Sequence, residues 1–227
     1  MAEAIVLLSG GMDSSTVLAM AKHRGLETVA LTFDYGQKHR RELESAGKIA
    51  QHFRVKDHMK VTLDLGRFLD SSLTSGSKQI PLDRSMKQIK SEIPSTYVPS
   101  RNIIFLSIAS SVAESRGAEA VFIAANAVDF SGYPDCTPEF IDSFQRVLDV
   151  GTKAGKQGRG VRIEAPLLRM SKADIVKKAV ELKVPLELTW SCYSGGPKAC
   201  GRCDSCLLRL QGFREAGLTD PLEYEVI

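Results

Sequence analysis

Short apolar runs alternate with longer amphipathic stretches along most of the chain. These runs predict strands at residues 5–8, 28–33, 55–63, 120–124 and 161–165, of which the first two are expected to be buried. Helical periodicity fills the intervals, at residues 14–24, 39–53, 103–114, 138–153 and 172–182. Strands that alternate with helices of this length form parallel sheets with helices on both faces. The pattern therefore predicts an α/β fold built on a doubly wound parallel sheet.

The first strand runs directly into a glycine bend. Ser9, Gly10 and Gly11 follow the strand, and a helical pattern begins immediately after them. Adjacent glycines accept positive φ and keep side chains away from a ligand. The amides of such a bend and of the first helical turn attract anions. No lysine follows in the spacing of a Walker A motif, so the bend predicts a phosphate site of another type.

Asp13 stands in this bend, although a bare carboxylate would repel phosphate. Two interpretations are open at this residue. Asp13 could cap the following helix, or a Mg²⁺ ion could bridge its carboxylate to the phosphates of a nucleotide.

Polar residues also follow the second and fourth strands, at 34–39 and 126–135. Carboxyl ends of parallel strands meet at one edge of a sheet, where α/β proteins bind ligands. We therefore expect both segments to face the glycine bend. Arg101, at the entrance of the helix at 103–114, either grips phosphate with its planar guanidinium or makes an ordinary surface ion pair.

Residues 70–100 interrupt the alternation with serines and prolines and allow only a short helix around 86–93. Long irregular segments in compact domains are often binding loops or lids. Lys78, Arg84, Lys87 and Lys90 make this segment basic. It is therefore either a solvated loop or a lid over phosphates.

Four of the five cysteines lie close together in the sequence, at Cys192, Cys200, Cys203 and Cys206. Two Cys-x-x-Cys steps suit a closed tetrahedral Zn²⁺ site of the structural kind, with Lys198 and Arg202 to offset its negative charge. Iron–sulfur ligation and free structural thiols are the alternatives. We expect a small zinc-binding segment, residues 189–227, packed on a main domain of residues 1–188.

Composition places the chain among ordinary globular proteins. The 227 residues are 43% hydrophobic and 25% charged, with a net charge of +3. That charge is too small to predict nucleic-acid binding, and no apolar run approaches the roughly 20 residues of a membrane span. The N-terminus lacks signal-peptide features, so we expect a cytoplasmic protein with reduced or metal-bound cysteines. Cys136, apart from the others, is expected to be an ordinary buried cysteine.

Several motifs together indicate a family. Ser-Gly-Gly-x-Asp-Ser at residues 9–14 closely resembles the pyrophosphate loop (PP-loop) of ATP pyrophosphatases, a superfamily with a Rossmann-like adenine nucleotide alpha-hydrolase fold. Further motifs narrow the resemblance, namely Asp-Tyr-Gly-Gln-Lys-His at 34–39, Val-Pro-Ser-Arg-Asn at 98–102, the segment 125–136 and the cysteine cluster. In this order they resemble the 7-cyano-7-deazaguanine synthase family of queuosine and archaeosine precursor synthesis, over nearly the whole chain.

This resemblance implies a ligase that makes a nitrile. ATP would adenylate 7-carboxy-7-deazaguanine, ammonia would convert the adenylate to an amide, and a second adenylation would lead to the nitrile. AMP and pyrophosphate would be released each time. The resemblance also implies Mg²⁺ with ATP, one structural Zn²⁺ and a homodimer, with ammonia supplied free or by a partner, since no glutaminase domain fits in these residues.

The resemblance further implies the site residues. Asp13 would hold Mg²⁺, while Arg101 and Lys172 would stabilise charge on the departing pyrophosphate. The expected ATP-binding residues are Leu8, Ser9, Gly10, Gly11, Met12, Asp13, Ser14, Ser15, Thr16, Val17 and Leu18. The expected substrate-binding residues are Tyr35, Gln37, Asn126, Asp129, Tyr133 and Asp135, with Tyr35 and Gln37 at the carboxylate end.

Two rival functions compete with this interpretation. A tRNA-thiolating PP-loop ATPase would need a persulfide-carrying cysteine and an RNA-binding appendage. Cys136 is the only spare cysteine, and no basic domain is present. A non-catalytic nucleotide-binding module is the other rival, and it would release no AMP or pyrophosphate when given the acid and ammonia.

Overall fold

The computed structural model describes residues 2–74, 77–127 and 133–225. Its strands are β1 (Glu3–Leu7), β2 (Glu27–Asp34), β3 (Asp57–Thr62), β4 (Ala120–Phe122) and β5 (Arg162–Glu164). Its helices are α1 (Met12–His23), α2 (Arg41–His52), α3 (Met86–Ser91), α4 (Arg101–Arg116), α5 (Pro138–Gly151), α6 (Lys153–Lys156), α7 (Lys172–Glu181) and α8 (Asp204–Ala216). The predicted alternation of strands and helices is confirmed.

The five strands form one parallel sheet in the order β3-β2-β1-β4-β5. β1 lies at its centre, where Ile5 pairs with Val29 of β2 and with Val121 of β4. The chain runs outward from β1 to β3 and then returns to the other side of β1 for β4. The strand order therefore reverses between β1 and β4, and such a reversal opens a ligand crevice at the carboxyl ends of the strands.

Helices cover both faces of the sheet, as the near-continuous apolar central strands β1, β2 and β4 require. Alternate residues of β1 point to opposite faces, so Ala4 and Val6 join one buried cluster while Ile5 and Leu7 join the other. The first cluster takes side chains from α1, α2, α7 and α8, and the second from α4 and α5. The predicted doubly wound fold is confirmed.

The hydrophobic pattern does not predict α8, which begins directly after Cys203 and contains Cys206. Its Phe213 is 2% exposed and lies in the same buried cluster as Ile175 of α7. Arg209 of the same helix donates to the Asp220 carboxylate at 2.7 and 2.9 Å. Residues beyond 188 thus complete the main core as well as carrying the cysteines, and the division at residue 188 stays a prediction.

Two other boundaries differ from the pattern for local reasons. The helix predicted to reach residue 153 ends at Gly151, because the Thr152 hydroxyl accepts the Gly155 amide at 3.0 Å and starts α6. The short helix predicted at 86–93 ends at Ser91. None of the described helices combines the length and apolar character needed to cross a membrane.

Apart from α3, isolated turns and a β-bridge between Leu82 and Cys203, the described part of residues 70–100 is irregular, as predicted. Two of its basic residues are engaged in ion pairs, Lys78 with Asp70 at 2.6 Å and Arg84 with Asp204 of α8 at 2.7 Å. The second pair fastens this segment to the cysteine-bearing part of the chain. Its role as a lid over phosphates stays a prediction.

Candidate active site

A cavity of about 300 Å³ lies at the carboxyl ends of β1, β2 and β4, within the size range of small-molecule sites. Its wall brings together most of the residues that the sequence analysis selected. These are Leu8, Ser9, Gly11, Met12, Asp13, Ser14, Tyr35, Gln37, Arg101, Asn126, Tyr133 and Lys172. Distant parts of the chain therefore converge on one site, where the strand ends predict it.

The glycine bend is shaped by its contact with α2. Gly10 has a φ of +89°, and a Cβ there would overlap the Glu42 carbonyl oxygen and lie 2.6 Å from the Ala46 amide nitrogen. Only glycine fits this position. Gly11 has a φ of −77°, and a Cβ there would meet its neighbours at 3.5 and 3.6 Å, which is ordinary contact. Gly10 therefore permits the bend, whereas Gly11 keeps the cavity wall open.

The hydroxyl groups of the bend divide into two sets. Ser9 and Ser14 line the cavity, with their hydroxyl oxygens 3.0 Å apart. Ser15 and Thr16 each donate to the carbonyl oxygen four residues earlier at 2.8 Å. Those two lie on the buried side of α1 together with Val17 and Leu18. Of the predicted ATP-binding residues, Gly10 and residues 15–18 are thus not among those that line the cavity.

Asp13 and Lys172 meet at the cavity wall, with 2.7 Å between carboxylate oxygen and ammonium nitrogen. The N-cap of α1 is Gly11, so the interpretation of Asp13 as the helix cap is wrong. Lys172 begins α7 and runs beside Gly212 of α8, where a Cβ would lie 3.1 Å from the Lys172 Cβ. The Asp13 side chain is 27% exposed, and an accessible carboxylate at a phosphate site is a suitable Mg²⁺ ligand.

Arg101, the first residue of α4, lies among aromatic side chains on the same wall. Burial raises the pKa values of Tyr35 and Tyr133, and the guanidinium opposes that rise. Burial would lower the pKa of Arg101 itself, but the neighbouring phenols and the Cys136 thiol raise it. A fixed cation on the cavity wall fits a phosphate contact rather than the alternative of a surface ion pair.

Two predicted substrate residues use their polar atoms to hold the site together. The Gln37 side chain accepts the Tyr35 amide at 2.8 Å and donates to the Glu42 carboxylate at 2.9 Å. The Asn126 side chain donates to two carbonyl oxygens in the loop before α7, at 3.0 and 2.6 Å. Both residues line the cavity, and their contact with substrate stays a prediction.

Another predicted substrate residue, Asp135, is not among the residues that line the cavity. Asp135 is 5% exposed, and its carboxylate accepts the Asn102 backbone amide at 3.0 Å, which positions the start of α4. Asp129 lies outside the described residues. The structure therefore gives the Asp135 carboxylate a role in positioning α4, and the expectation for Asp129 stays a prediction.

Sequence reasoning missed several residues of the wall. These are Glu42, Asn102, Phe105, Cys136, Trp190, Ser191, Tyr193, Ser205, Leu208 and Arg209. Glu42 follows the polar segment 34–39 closely, but the periodicity of α2 gives it no distinguishing mark. Its carboxyl is enclosed by the site, and this burial raises the pKa of Glu42 to about 7. His39 stood in a segment expected to face the ligand, and that expectation is confirmed.

The four predicted cysteines form one buried cluster. Their sulfur atoms all lie within 4.8 Å of one another, and those of Cys200 and Cys206 are 3.9 Å apart. Four sulfurs around a tetrahedral Zn²⁺ at roughly 2.3 Å would stand about 3.8 Å apart, so the cluster fits one such ion. The amides of residues 194 and 200 donate to the Cys192 sulfur at 3.4 and 3.3 Å, which favours its thiolate form.

The cations expected to offset this cluster have other partners. Lys198 pairs with Glu223 at 3.2 Å, and Arg202 donates to Asp83 at 3.0 Å. The Asp83 carboxylate and, to a smaller extent, the Cys200 sulfur raise the pKa of Arg202, so its charge still acts on the cluster beside the donating backbone amides.

Comparisons with known proteins match nearly the whole chain. The family model described as queuosine biosynthesis protein QueC matches residues 3–217. The 7-cyano-7-deazaguanine synthase of Acetivibrio thermocellus is 52% identical over 224 residues, covering 99% of this chain and 98% of that protein. The 7-cyano-7-deazaguanine synthase of Thermoplasma acidophilum is 53% identical over 223 residues, covering 98% and 92%. Among solved structures, NMN synthetase from Francisella tularensis is 15% identical, with a TM-score of 0.49 over 96% of this chain and 78% of that one.

Proposed function

The chain belongs to the QueC family of queuosine biosynthesis proteins, and on that premise we propose that it converts 7-carboxy-7-deazaguanine and ammonia to 7-cyano-7-deazaguanine. A carboxylate is a poor electrophile, because its leaving group would be oxide. Transfer of AMP from ATP to the carboxylate makes AMP the leaving group and releases pyrophosphate. Ammonia then gives the amide, and a second adenylation, on the amide oxygen, allows AMP to leave as the nitrile forms.

The observation that carries this proposal is the meeting of Asp13, Lys172 and Arg101 with the glycine bend on one cavity wall. The bend amides and the Ser9 and Ser14 hydroxyls are suited to the outer phosphates of ATP. Lys172 and Arg101 would stabilise the charge that develops on departing pyrophosphate. Mg²⁺ bound with ATP would reduce repulsion between the phosphates, and the Asp13 carboxylate is the residue suited to hold it.

The aromatic half of the cavity is suited to the deazapurine. Tyr133 offers a face for stacking, and Tyr35 and Gln37 would border the substrate carboxylate. One zinc ion in the cysteine cluster would serve a structural role, because four thiolates leave no open coordination position. We further expect a cytoplasmic homodimer that uses free or partner-supplied ammonia.

The rival tRNA-thiolating function is not favoured. It requires a nucleophilic cysteine, but burial raises the pKa of Cys136 to about 11, although the Asn102 side-chain amide, which donates to its sulfur at 3.3 Å, opposes that rise. Reactive cysteines have lowered pKa values instead.

The test is incubation of the purified protein with the acid, ATP and ammonium, followed by mass spectrometry. The proposal predicts the nitrile, formed only when all three are present. Absence of the nitrile from a correctly folded, metal-loaded protein would contradict it.

A further inference from the structure

Glu42 is a carboxyl group on the cavity wall that the roles above leave unused. It lies in the first turn of α2, and Gln37 donates to its carboxylate at 2.9 Å. Gln37 is itself anchored, since its oxygen accepts the Tyr35 amide at 2.8 Å and its nitrogen lies 3.4 Å from the Phe33 carbonyl oxygen. The end of β2 therefore fixes the Glu42 carboxyl in one orientation at the cavity.

The charged and titratable groups facing Glu42 come from two further elements. Asp34 and Tyr35 lie at the end of β2, and Arg101 lies at the start of α4. Burial raises the pKa of Glu42 to about 7, helped by Asp34 and opposed by Arg101 and Gln37. Both protonation states are therefore populated at neutral pH, the condition under which a carboxyl best exchanges protons with a reacting group.

We propose that Glu42 is the general base of the step that joins nitrogen to carbon, an inference that rests on the proposed function. The ammonia nitrogen bonds to the acyl carbon of the adenylate. The bond from that carbon to the phosphoryl-linked oxygen breaks, and its electron pair leaves with AMP. One proton passes from the nitrogen to Glu42, and the primary amide remains. Glu42 then returns this proton to solvent.

The position of Glu42 supports this assignment over the other carboxylate of the described wall. Asp13 already pairs with Lys172 at 2.7 Å beside the phosphate seat. Glu42 stands next to Tyr35 and Arg101, at the end of the cavity expected to hold the reacting carboxyl group. Asp13 would thus act at the phosphates, and Glu42 would act at the attacking nitrogen.

The test separates adenylation from amide formation in the Glu42→Gln variant, whose oxygen still accepts the Gln37 hydrogen bond. Acid-dependent exchange of pyrophosphate into ATP reports adenylation and should stay within about twofold of the natural protein. Amide formation from ammonium should fall about 100-fold or more, the usual size of a general-base contribution. Hydroxylamine is largely neutral at pH 7 and depends less on proton removal by a general base. Hydroxamate formation from it should therefore fall less than about 10-fold. Glu44→Gln, an exposed position on the same helix, is the control and should change neither rate.

Amide formation within about threefold of the natural rate in Glu42→Gln would overturn the inference. An equal loss of exchange, amide and hydroxamate formation would also overturn it, because that pattern indicates a structural role. If Glu42→Gln does not fold, Glu42→Asp keeps the carboxylate but withdraws it, and it should preserve exchange while slowing amide formation about 10-fold. Lack of acid-dependent exchange in the natural protein would instead contradict the proposed function itself.

Discussion

The backbone amide of Trp190 donates a 2.8 Å hydrogen bond to the carbonyl oxygen of Gly10. The indole N–H of the same residue donates to the Cys192 carbonyl oxygen at 3.0 Å. The Arg41 guanidinium covers the ring at 4.0 Å from its centroid, and Arg41 is the first residue of α2, the helix that shapes the bend. Trp190 therefore connects the glycine bend, α2 and the cysteine cluster through direct contacts.

Loss of the metal from the cysteine cluster should destabilise the glycine bend, because Trp190 connects the two. We expect Cys203→Ser to lose bound metal and to weaken ATP binding by about 10-fold or more. The hydrogen bond from Trp190 to Gly10, together with the packing of Trp190, should contribute roughly 1–2 kcal/mol. Trp190 is the only tryptophan of the chain, so its fluorescence reports both events in one titration. The control variant Cys136→Ser should retain the metal bound by the four clustered cysteines. Unchanged ATP affinity after complete metal loss would show that the contacts of Trp190 do not contribute to ATP binding.

The two glycines of the bend should respond differently to the same substitution. Gly10→Ala places a methyl group against the α2 backbone at positive φ, and it should lower the free energy of unfolding by about 2 kcal/mol or more. Gly11→Ala meets only ordinary contacts and should change it by less than about 1 kcal/mol. Urea denaturation measures both values. Equal effects would mean that α2 does not constrain the bend.

Asp13 and Lys172 should be required for turnover but not for folding. We expect Asp13→Ala to abolish detectable pyrophosphate release and Lys172→Met to slow it about 100-fold, the usual cost of one electrostatic contact to a transition state. Bound metal per chain, measured by mass spectrometry, should stay unchanged in both variants. Asp13→Ala with substantial activity would remove this carboxylate from the mechanism.

Glu42 should make stability depend on pH with a defined sign. Its pKa is about 7 in the folded chain and 4.5 as the ordinary value, so between these the folded state holds a proton that the unfolded state has lost. The stabilisation of the folded state by this proton is complete below pH 4.5 and is lost as the pH rises through 7. It amounts to a few kcal/mol at most, at about 1.4 kcal/mol per pKa unit.

Glu42→Gln removes this proton and should flatten the corresponding part of the curve. The measurement is urea denaturation of both proteins at intervals from pH 4.5 to 7.5. Parallel curves would show that Glu42 titrates at its ordinary value in the folded chain.

Local patterns predicted the sheet, the glycine bend and the cysteine cluster, because each depends on neighbouring residues. Glu42 was missed because its burial depends on α2 packing against the bend, a contact between distant segments. Asp135 was expected to read the substrate, but its carboxylate accepts the Asn102 amide. A carboxylate that holds a helix start and one that binds a ligand look alike in the sequence. Helix α8 was missed because its buried face includes Asp204, Arg209 and Gly212, which do not mark an apolar stripe in the sequence.

The most direct test of the central claim follows the oxygen atoms of the substrate carboxylate. Attack of that carboxylate on the α-phosphorus of ATP transfers its oxygens to AMP. With both carboxylate oxygens labelled by ¹⁸O, we predict one labelled oxygen in each AMP released and none in pyrophosphate, as read by mass spectrometry. Label in inorganic phosphate, or ADP in place of AMP, would contradict adenylation at this site.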